Sequence, residues 1–349
     1  MIDLEKLVRP NILKLKPYTS ARSQHINGLL LDANENAFGS VIDNDDLELN
    51  RYPDPTQLKL RQSIGGYLKI NPDNIFCGVG SDEIIDLLIR IFCEPGKDKA
   101  AIFEPTYGMY KVVCNIQDVE TIIYELDNDF QINVEQFLKQ ELESIKIIFI
   151  CSPNNPTANI INKIDIIRLS ENFNGIVVID QAYIDFYDER ELLDEISKHS
   201  NIVLLRTFSK AWGLAGARFG FAVSDSFIVK LLMNIKSPYN INKLTENIVL
   251  RSLNKIDHKN DILEKIKIER DYLTEELKSI KGIINVYPSD ANYILFKVSK
   301  ADKVHEKLIE KGIIIRNRSN QLNLEGCLRV TVGTREQNQK FIQELRVVL

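Results

Sequence analysis

The sequence predicts an α/β protein: a mostly parallel central sheet flanked by helices, with a smaller α+β region after it and an arm before it. Three observations carry that expectation. Continuously apolar short runs alternate with amphipathic stretches between about residues 75 and 222; a long charged helical pattern opens a different arrangement after about residue 240; and the first thirty or so residues, with Pro10 and Pro17, keep neither period. The division expected is 1–30 for the arm, 31–240 for the large α/β domain and 241–349 for the small α+β domain.

The apolar runs are Ile75-Phe-Cys, Ala100-Ala-Ile-Phe, Ile147-Ile-Phe-Ile-Cys, Ile176-Val-Val-Ile, Ile202-Val-Leu-Leu and Phe219-Gly-Phe-Ala-Val. Strands that are apolar on both faces need cover on both faces, and a parallel sheet between layers of helices provides it. Helical spacing marks residues 82–92, and Asn133 with Gln136 opens a second helix expected to run to Leu142. Beyond residue 240 the pattern reads as a long helix around residues 257–280, a strand at Asn292-Tyr-Ile-Leu-Phe and a helix near 301–311. The runs Ile313-Ile-Ile-Arg and Leu328-Arg-Val-Thr-Val follow, then a closing helix whose Thr334 and Gln337 form a capping box. At 349 residues the chain exceeds the size at which one core keeps growing, in keeping with a large and a small domain.

Composition removes several classes of function. The hydrophobic share of 44% and charged share of 27% are ordinary for a globular protein, and no apolar run approaches the roughly 20 residues that span a bilayer. The start, Met1-Ile-Asp-Leu-Glu-Lys, carries acids and no continuous apolar stretch, so neither membrane association nor secretion is expected, and the chain is expected in the cytoplasm. A net charge of −5 offers no broad basic surface to nucleic acid, although a local positive pocket stays open. Cys77, Cys93, Cys114, Cys151 and Cys327 contain no C-x-x-C pair and fit reduced, buried thiols. His25, His199, His258 and His305 form no H-x-H or H-E-x-x-H pair, so no metal site is expected.

The segment richest in chemistry is Arg206-Thr-Phe-Ser-Lys-Ala-Trp-Gly-Leu-Ala-Gly-Ala-Arg-Phe-Gly-Phe. Lys210 follows an apolar strand directly and has small residues and glycines around it. A lysine amine titrates near about 10.4 in water; burial beside another cation lowers that value and frees the neutral amine to attack a carbonyl. Ser209 and Arg218 could hold a phosphate while the amine holds an aldehyde, the two ends of pyridoxal phosphate. A Ser-Lys dipeptide alone is more often a surface feature, and three other segments add weight.

Ile176-Val-Val-Ile-Asp180-Gln-Ala-Tyr183 ends a buried strand on a carboxylate, with a phenol one turn further on. A buried Asp paired with the pyridine nitrogen keeps that nitrogen protonated, the condition for the cofactor to act as an electron sink. Standing alone, Asp180 would read as a turn or N-cap residue. Ile150-Cys-Ser-Pro-Asn-Asn-Pro-Thr157 ends another strand in a Pro/Asn loop that offers Asn155 to a phenolic oxygen, although such turns are common for their own sake. Phe76-Cys-Gly-Val-Gly80-Ser81-Asp82-Glu83 is a strand, a glycine turn and a helix start whose free N–H groups suit a phosphate. Gly78-x-Gly80 also begins like a dinucleotide fingerprint, but Glu83 stands in place of the third glycine and would repel a pyrophosphate. Neither a complete P-loop nor a G-x-S-x-G element occurs.

Nine segments, taken in order and spacing, resemble the fold-type I pyridoxal-phosphate enzymes over nearly the whole chain. They are Leu15-Lys-Pro-Tyr18, Leu31-Asp-Ala-Asn-Glu-Asn36, Asn50-Arg-Tyr52-Pro-Asp-Pro, Gly80-Ser-Asp-Glu, Pro105-Thr-Tyr107, Ser152-Pro-Asn-Asn-Pro-Thr, Asp180 to Tyr183, Ser209-Lys210 and Cys327-Leu-Arg329-Val-Thr-Val-Gly-Thr-Arg335. The resemblance is closest to the histidinol-phosphate aminotransferase group of the class II aminotransferases. It implies that Lys210 forms the Schiff base and moves the proton, that Asp180 pairs with the pyridine nitrogen, that Asn155 and Tyr183 contact the phenolic oxygen, and that Tyr107 stacks on the ring. It implies a phosphate cradle of Gly80, Ser81, Asp82, Ser209 and Arg218, and a Tyr52 that reaches the cofactor of the neighbouring subunit in a homodimer with shared sites. Tyr18, Asn34, Arg316 and Arg329 become substrate-side residues, with Arg329 gripping a carboxylate or phosphate.

The implied reaction exchanges an amino group between L-histidinol phosphate and 2-oxoglutarate, giving imidazole-acetol phosphate and L-glutamate. An aromatic-amino-acid aminotransferase or a phospho-amino-acid decarboxylase on the same scaffold stays open. So does a non-catalytic regulatory protein that binds the cofactor, although binding alone has no use for an electron-sink partner such as Asp180. The chain departs from the group at Ala37, where proline is usual, at Gln181, where glutamate is usual, and at Trp212 and Ala217 in the lysine loop.

Overall fold

The computed structural model describes residues 2–24, 28–42, 46–188, 190 and 192–349; Met1, His25 and residues 26–27 of the expected arm lie outside them. The large sheet has seven strands: β1 (Ile75–Gly78), β2 (Lys99–Glu104), β3 (Glu120–Glu125), β4 (Ile145–Cys151), β5 (Ile176–Asp180), β6 (Ile202–Thr207) and β7 (Gly220–Ser224), in the order β1-β7-β6-β5-β4-β2-β3. Only β7 runs antiparallel to its neighbours, so the sheet is mostly parallel as expected.

The continuous apolar runs have the anticipated cause. Along β4 to β6, Ile148, Ile150, Val177, Ile179 and Leu204 enter the core on one face, while Ile147, Phe149, Val178, Val203 and Leu205 enter the core on the other. Successive side chains of a strand point to opposite faces, so both sets are needed. Edge strand β3 escapes the apolar pattern because Glu120 and Glu125 bound it and its residues are only partly buried. The helix opened by Asn133 is shorter than expected, Val134–Leu138. Its Asn133 side chain accepts from Gln136 N as the cap requires, and Leu142 packs against the core from beyond the end of the helix.

The second sheet is antiparallel and has four strands: β8 (Ile283–Val286), β9 (Tyr293–Val298), β10 (Arg316–Asn317) and β11 (Cys327–Thr331), in the order β10-β11-β9-β8. Ile294, Phe296, Leu328 and Val330 pack on one face against Leu273 and Leu277 of the helix Ile256–Ser279 and against Phe341 and Leu345 of the closing helix Arg335–Val348. The capping box of Thr334 and Gln337 is formed. The opposite face turns toward the large sheet, and Leu295, Leu324 and Cys327 join its core. The helix Lys243–Leu253 also sends Val249 and Leu253 into that core, so the expected division at 240/241 does not separate two cores. The arm is likewise less detached than its sequence implied. Leu4, Leu7 and Val8 pack into the large core, and Arg9 donates to the Arg90 carbonyl and pairs with Glu94.

Candidate active site

The parallel strands β4, β5 and β6 end at one edge of the large sheet, the place where open α/β sheets accept ligands. Asp180 is the last residue of β5 and is only 3% exposed. Its Oδ2 accepts from the Tyr110 hydroxyl at 2.8 Å and its Oδ1 from Ala182 N at 3.1 Å; no cation pairs with it among the described residues. Burial pushes its carboxyl up to about 6, against the opposing pull of Tyr110, the Ala182 amide and Lys210. A buried carboxylate held by two donors and lacking a cationic partner is suited to a ring N–H⁺ placed before it.

Lys210 lies just beyond β6, with Nζ 5.5 Å from the centre of the Tyr183 ring. The side chain opens onto the cleft, yet surrounding protein and then Arg329 and Arg218 lower its amine below the ordinary lysine value; Asp180 and Asp82 oppose them. This is the shift that makes a neutral, nucleophilic amine available. Behind the loop, Trp212 stacks on Phe208 at 4.6 Å and sits under the buried Lys259 amine, so this departure from the group packs the lysine turn from below.

The helix Gly80–Phe92 points its N-terminus into the same cleft. Its first-turn amides have no acceptor within the helix, which leaves them for an anion. Close approach is secured by Gly220: a Cβ there would stand 2.5 Å from Ser81 N. Arg218, in the left-handed region at φ 52, brings Nη2 to 3.5 Å from Asp82 Oδ2, and the Tyr107 hydroxyl donates to Asp82 Oδ1 at 3.2 Å. Ser209 is tied to Thr207 through both its amide and its hydroxyl.

In the Pro/Asn loop the two asparagines divide the work. Asn154 is buried and structural, donating to the Pro105 carbonyl and Thr157 while its own carbonyl accepts from the Tyr293 hydroxyl. Asn155 thereby faces the cleft, where Oδ1 accepts from Arg329 Nη1 at 2.5 Å. Arg329 comes from β11 in the small sheet and lies over the Tyr293 ring at 4.9 Å.

One cleft therefore collects Gly80, Ser81, Asp82, Tyr107, Asn155, Asp180, Tyr183, Ser209, Lys210 and Arg218. Arg329 reaches it through Asn155, and Arg316 stands opposite Arg329 in the β10–β11 pairing. Tyr52, Tyr18 and Asn34 are not brought there. Tyr52 is half exposed and stacks on Tyr239 at 4.4 Å, Tyr18 is 78% exposed, and Asn34 is exposed on the surface segment. The sequence reading passed over Tyr110 and Tyr293. Tyr110 sits one helical turn from Tyr107 and Tyr293 occupies the alternate face of β9, periodicities that could have located both. Among the described residues no His/Cys/Asp/Glu group could hold a metal ion, and no helix is long and apolar enough to cross a membrane.

The fold and this lysine-centred cleft agree with the comparison to known families: the model for aminotransferase class I and II matches residues 26–345, and the chain belongs to that family. Within it, the chain is 44% identical over 346 residues to the histidinol-phosphate aminotransferase of Cytophaga hutchinsonii and 45% identical over 350 residues to that of Flavobacterium psychrophilum, in each case covering 99% of both chains. Among solved structures it is similar to the histidinol-phosphate aminotransferase of Clostridium acetobutylicum (28% identity, TM-score 0.79, covering 86% of this chain and 91% of that one). It shares its fold with the Sinorhizobium meliloti enzyme in complex with pyridoxal-5'-phosphate (21% identity, TM-score 0.80, covering 90% of this chain and 89% of that one).

Proposed function

We propose that this chain is a pyridoxal-phosphate-dependent transaminase that exchanges an amino group between L-histidinol phosphate and 2-oxoglutarate, giving imidazole-acetol phosphate and L-glutamate. The observation that carries the reading is the opposition, in one cleft, of the Lys210 amine and the buried Asp180 carboxylate, with an anion cradle to one side. Similarity over 99% of the chain to relatives named for this activity supports the choice of substrate.

When bound, the cofactor supplies an electron sink for the carbon that loses its proton. Asp180 would hold the ring nitrogen in its protonated form, with Tyr110 and the Ala182 amide fixing the carboxylate. The amides opening the helix Gly80–Phe92, Ser209 and Arg218 would hold the phosphate, Tyr107 would cover the ring, and Asn155 and Tyr183 would donate to its phenolic oxygen. The Lys210 Nζ, its basicity lowered by burial, would take the proton from the amino-bearing carbon of the substrate and deliver it on the far side of the amino nitrogen, so that the amino group changes hands. Arg329, aided by Arg316, would hold the anionic end of either substrate. Tyr18 and Asn34 are proposed on the substrate side from the surface segment.

That segment supports a homodimer with shared sites. Leu29, Leu31, Phe38 and Val41 are 74–100% exposed, an apolar set that a second copy would cover while bringing Tyr52 to its partner's cofactor. All five cysteines are free and buried, which fits a reducing cytoplasm. The decisive test is a half-reaction: L-histidinol phosphate added to the purified holoenzyme converts the lysine-bound cofactor to its amine form, read by absorbance. No change with that donor, alongside conversion by phenylalanine or release of CO2, would replace this reading with one of its neighbours.

A further inference from the structure

We propose that Arg318 is a third anion-binding guanidinium of the substrate pocket and that, with Arg316 and Arg329, it holds the phosphate of the amino substrate. The inference deepens the function proposed above and rests on it. Resemblance assigns Arg316 and Arg329 to the substrate side; Arg318 enters from the structure.

Arg316 stands opposite Arg329 in the β10–β11 pairing, and Arg318 N donates to the Cys327 carbonyl at 2.9 Å, which extends the pairing beyond the end of β10. Residues two apart on an extended strand share a face, so Arg316 and Arg318 point to the side on which Arg329 meets Asn155. No carboxylate pairs with any of the three among the described residues, although most arginines of this chain that approach the core find one. Arg318 is half-buried, and burial, then Arg329 and Arg316, lower its guanidinium, while Tyr183 and Tyr293 oppose them.

The unmet hydrogen bonds are concentrated here. Among the described residues, buried side-chain atoms without a partner are Gln57 Oε1, Thr121 Oγ1, Arg318 Nε, Ser319 Oγ, Gln321 Oε1 and Arg329 Nε. The last four belong to β11 and to the turn that follows β10. Folded proteins pair nearly all such atoms, and three of these four, Arg318 Nε, Arg329 Nε and the Ser319 hydroxyl, can donate, so donors left unmet beside arginines with no carboxylate mark a place where the partner comes from outside the chain. The chemistry selects that partner. A phosphate monoester carries nearly two charges and three acceptor oxygens near neutrality, enough for three planar donor forks, whereas a carboxylate carries one charge and two oxygens. Arg318 therefore favours a phosphorylated amino substrate over glutamate.

The test uses the full-length holoenzyme as wild type, Arg318→Gln and Arg318→Lys. KM and kcat are measured for L-histidinol phosphate and for L-glutamate, together with inhibition by inorganic phosphate. Loss of a charge-assisted hydrogen bond predicts that Arg318→Gln raises KM for L-histidinol phosphate and Ki for inorganic phosphate by about 10- to 100-fold. The shift for glutamate is expected to be several-fold smaller, kcat is expected to change less than KM, and Arg318→Lys is expected to recover part of the loss. An unchanged Ki for phosphate, or equal weakening of both substrates, overturns the assignment. A wild type that does not accept L-histidinol phosphate breaks the functional reading instead, and the inorganic-phosphate arm still decides whether Arg318 binds the anion.

Discussion

The two sides of the cleft are built by different means. On the cofactor side, Asp180, Asn155, Lys210 and the helix at Gly80 all spring from the ends of strands in one sheet whose interior is buried on both faces. On the proposed substrate side, Arg316, Arg318 and Arg329 ride on a second sheet, and Tyr18 and Asn34, like the Tyr52 proposed for a partner's cofactor, belong to an exposed segment that does not reach this cleft. The cofactor side is thus built mainly by one sheet of one chain, and the substrate side depends on how separate parts come together. The two sides are tied together where Arg329 donates to Asn155 and the Tyr293 hydroxyl donates to the Asn154 carbonyl.

That contrast can be broken. The largest expected effect is at the cofactor side's only nucleophile: Lys210→Ala should lower turnover by roughly 10⁴-fold or more and abolish the absorbance of lysine-bound cofactor. A variant that kept either property would remove Lys210 from the centre of the site.

Asp180→Asn should lower kcat by about 10²–10³-fold, the usual scale for losing one preorganised electrostatic partner. It should also make the cofactor-free protein more stable at neutral pH. The Asp180 carboxyl is raised from its ordinary value to about 6, so the protonated form is the one the fold favours. Its contribution is fully present below the unfolded value near about 4 and is lost as pH rises through about 6, a difference of roughly 1–3 kcal/mol. Thermal unfolding of the cofactor-free wild type and variant across this range reads it; a variant less stable than wild type at pH 7 would contradict the burial argument.

The smallest effect asks whether a second copy completes the cofactor side. If a second copy supplies Tyr52, then Tyr52→Phe should weaken cofactor affinity by about tenfold while leaving kcat at saturating cofactor largely intact. Fluorescence titration of the cofactor-free protein measures the affinity, and sedimentation velocity the oligomer. Unchanged affinity would confine the cofactor side to one chain.

Much of this was legible before any coordinates. The buried strands announced themselves as continuous apolar runs because both faces of the sheet are covered, and Asp180, Asn155 and Lys210 stood out because each follows such a run directly. Thr334 and Gln337 cap their helix as local sequence dictates. Local signals failed where the deciding contacts are distant. Edge strand β3 is polar enough to hide, and the arm's Leu4 and Leu7 find a core about which the arm's own sequence says nothing.

Lys210 shows where the boundary lies. Sequence alone determined that an amine, a carboxylate and an anion cradle would each sit at a strand end. Only the tertiary structure decided that Lys210 is depressed by burial and then by Arg329 from another sheet, that Asp180 is steadied by Tyr110 from a separate helix, and that Arg316 stands opposite Arg329 with the Arg318 amide on the Cys327 carbonyl. The physical reason is range: strand ends and caps are set by neighbours within a few residues, whereas burial and electrostatic shifts are summed over groups that only the folded chain brings together.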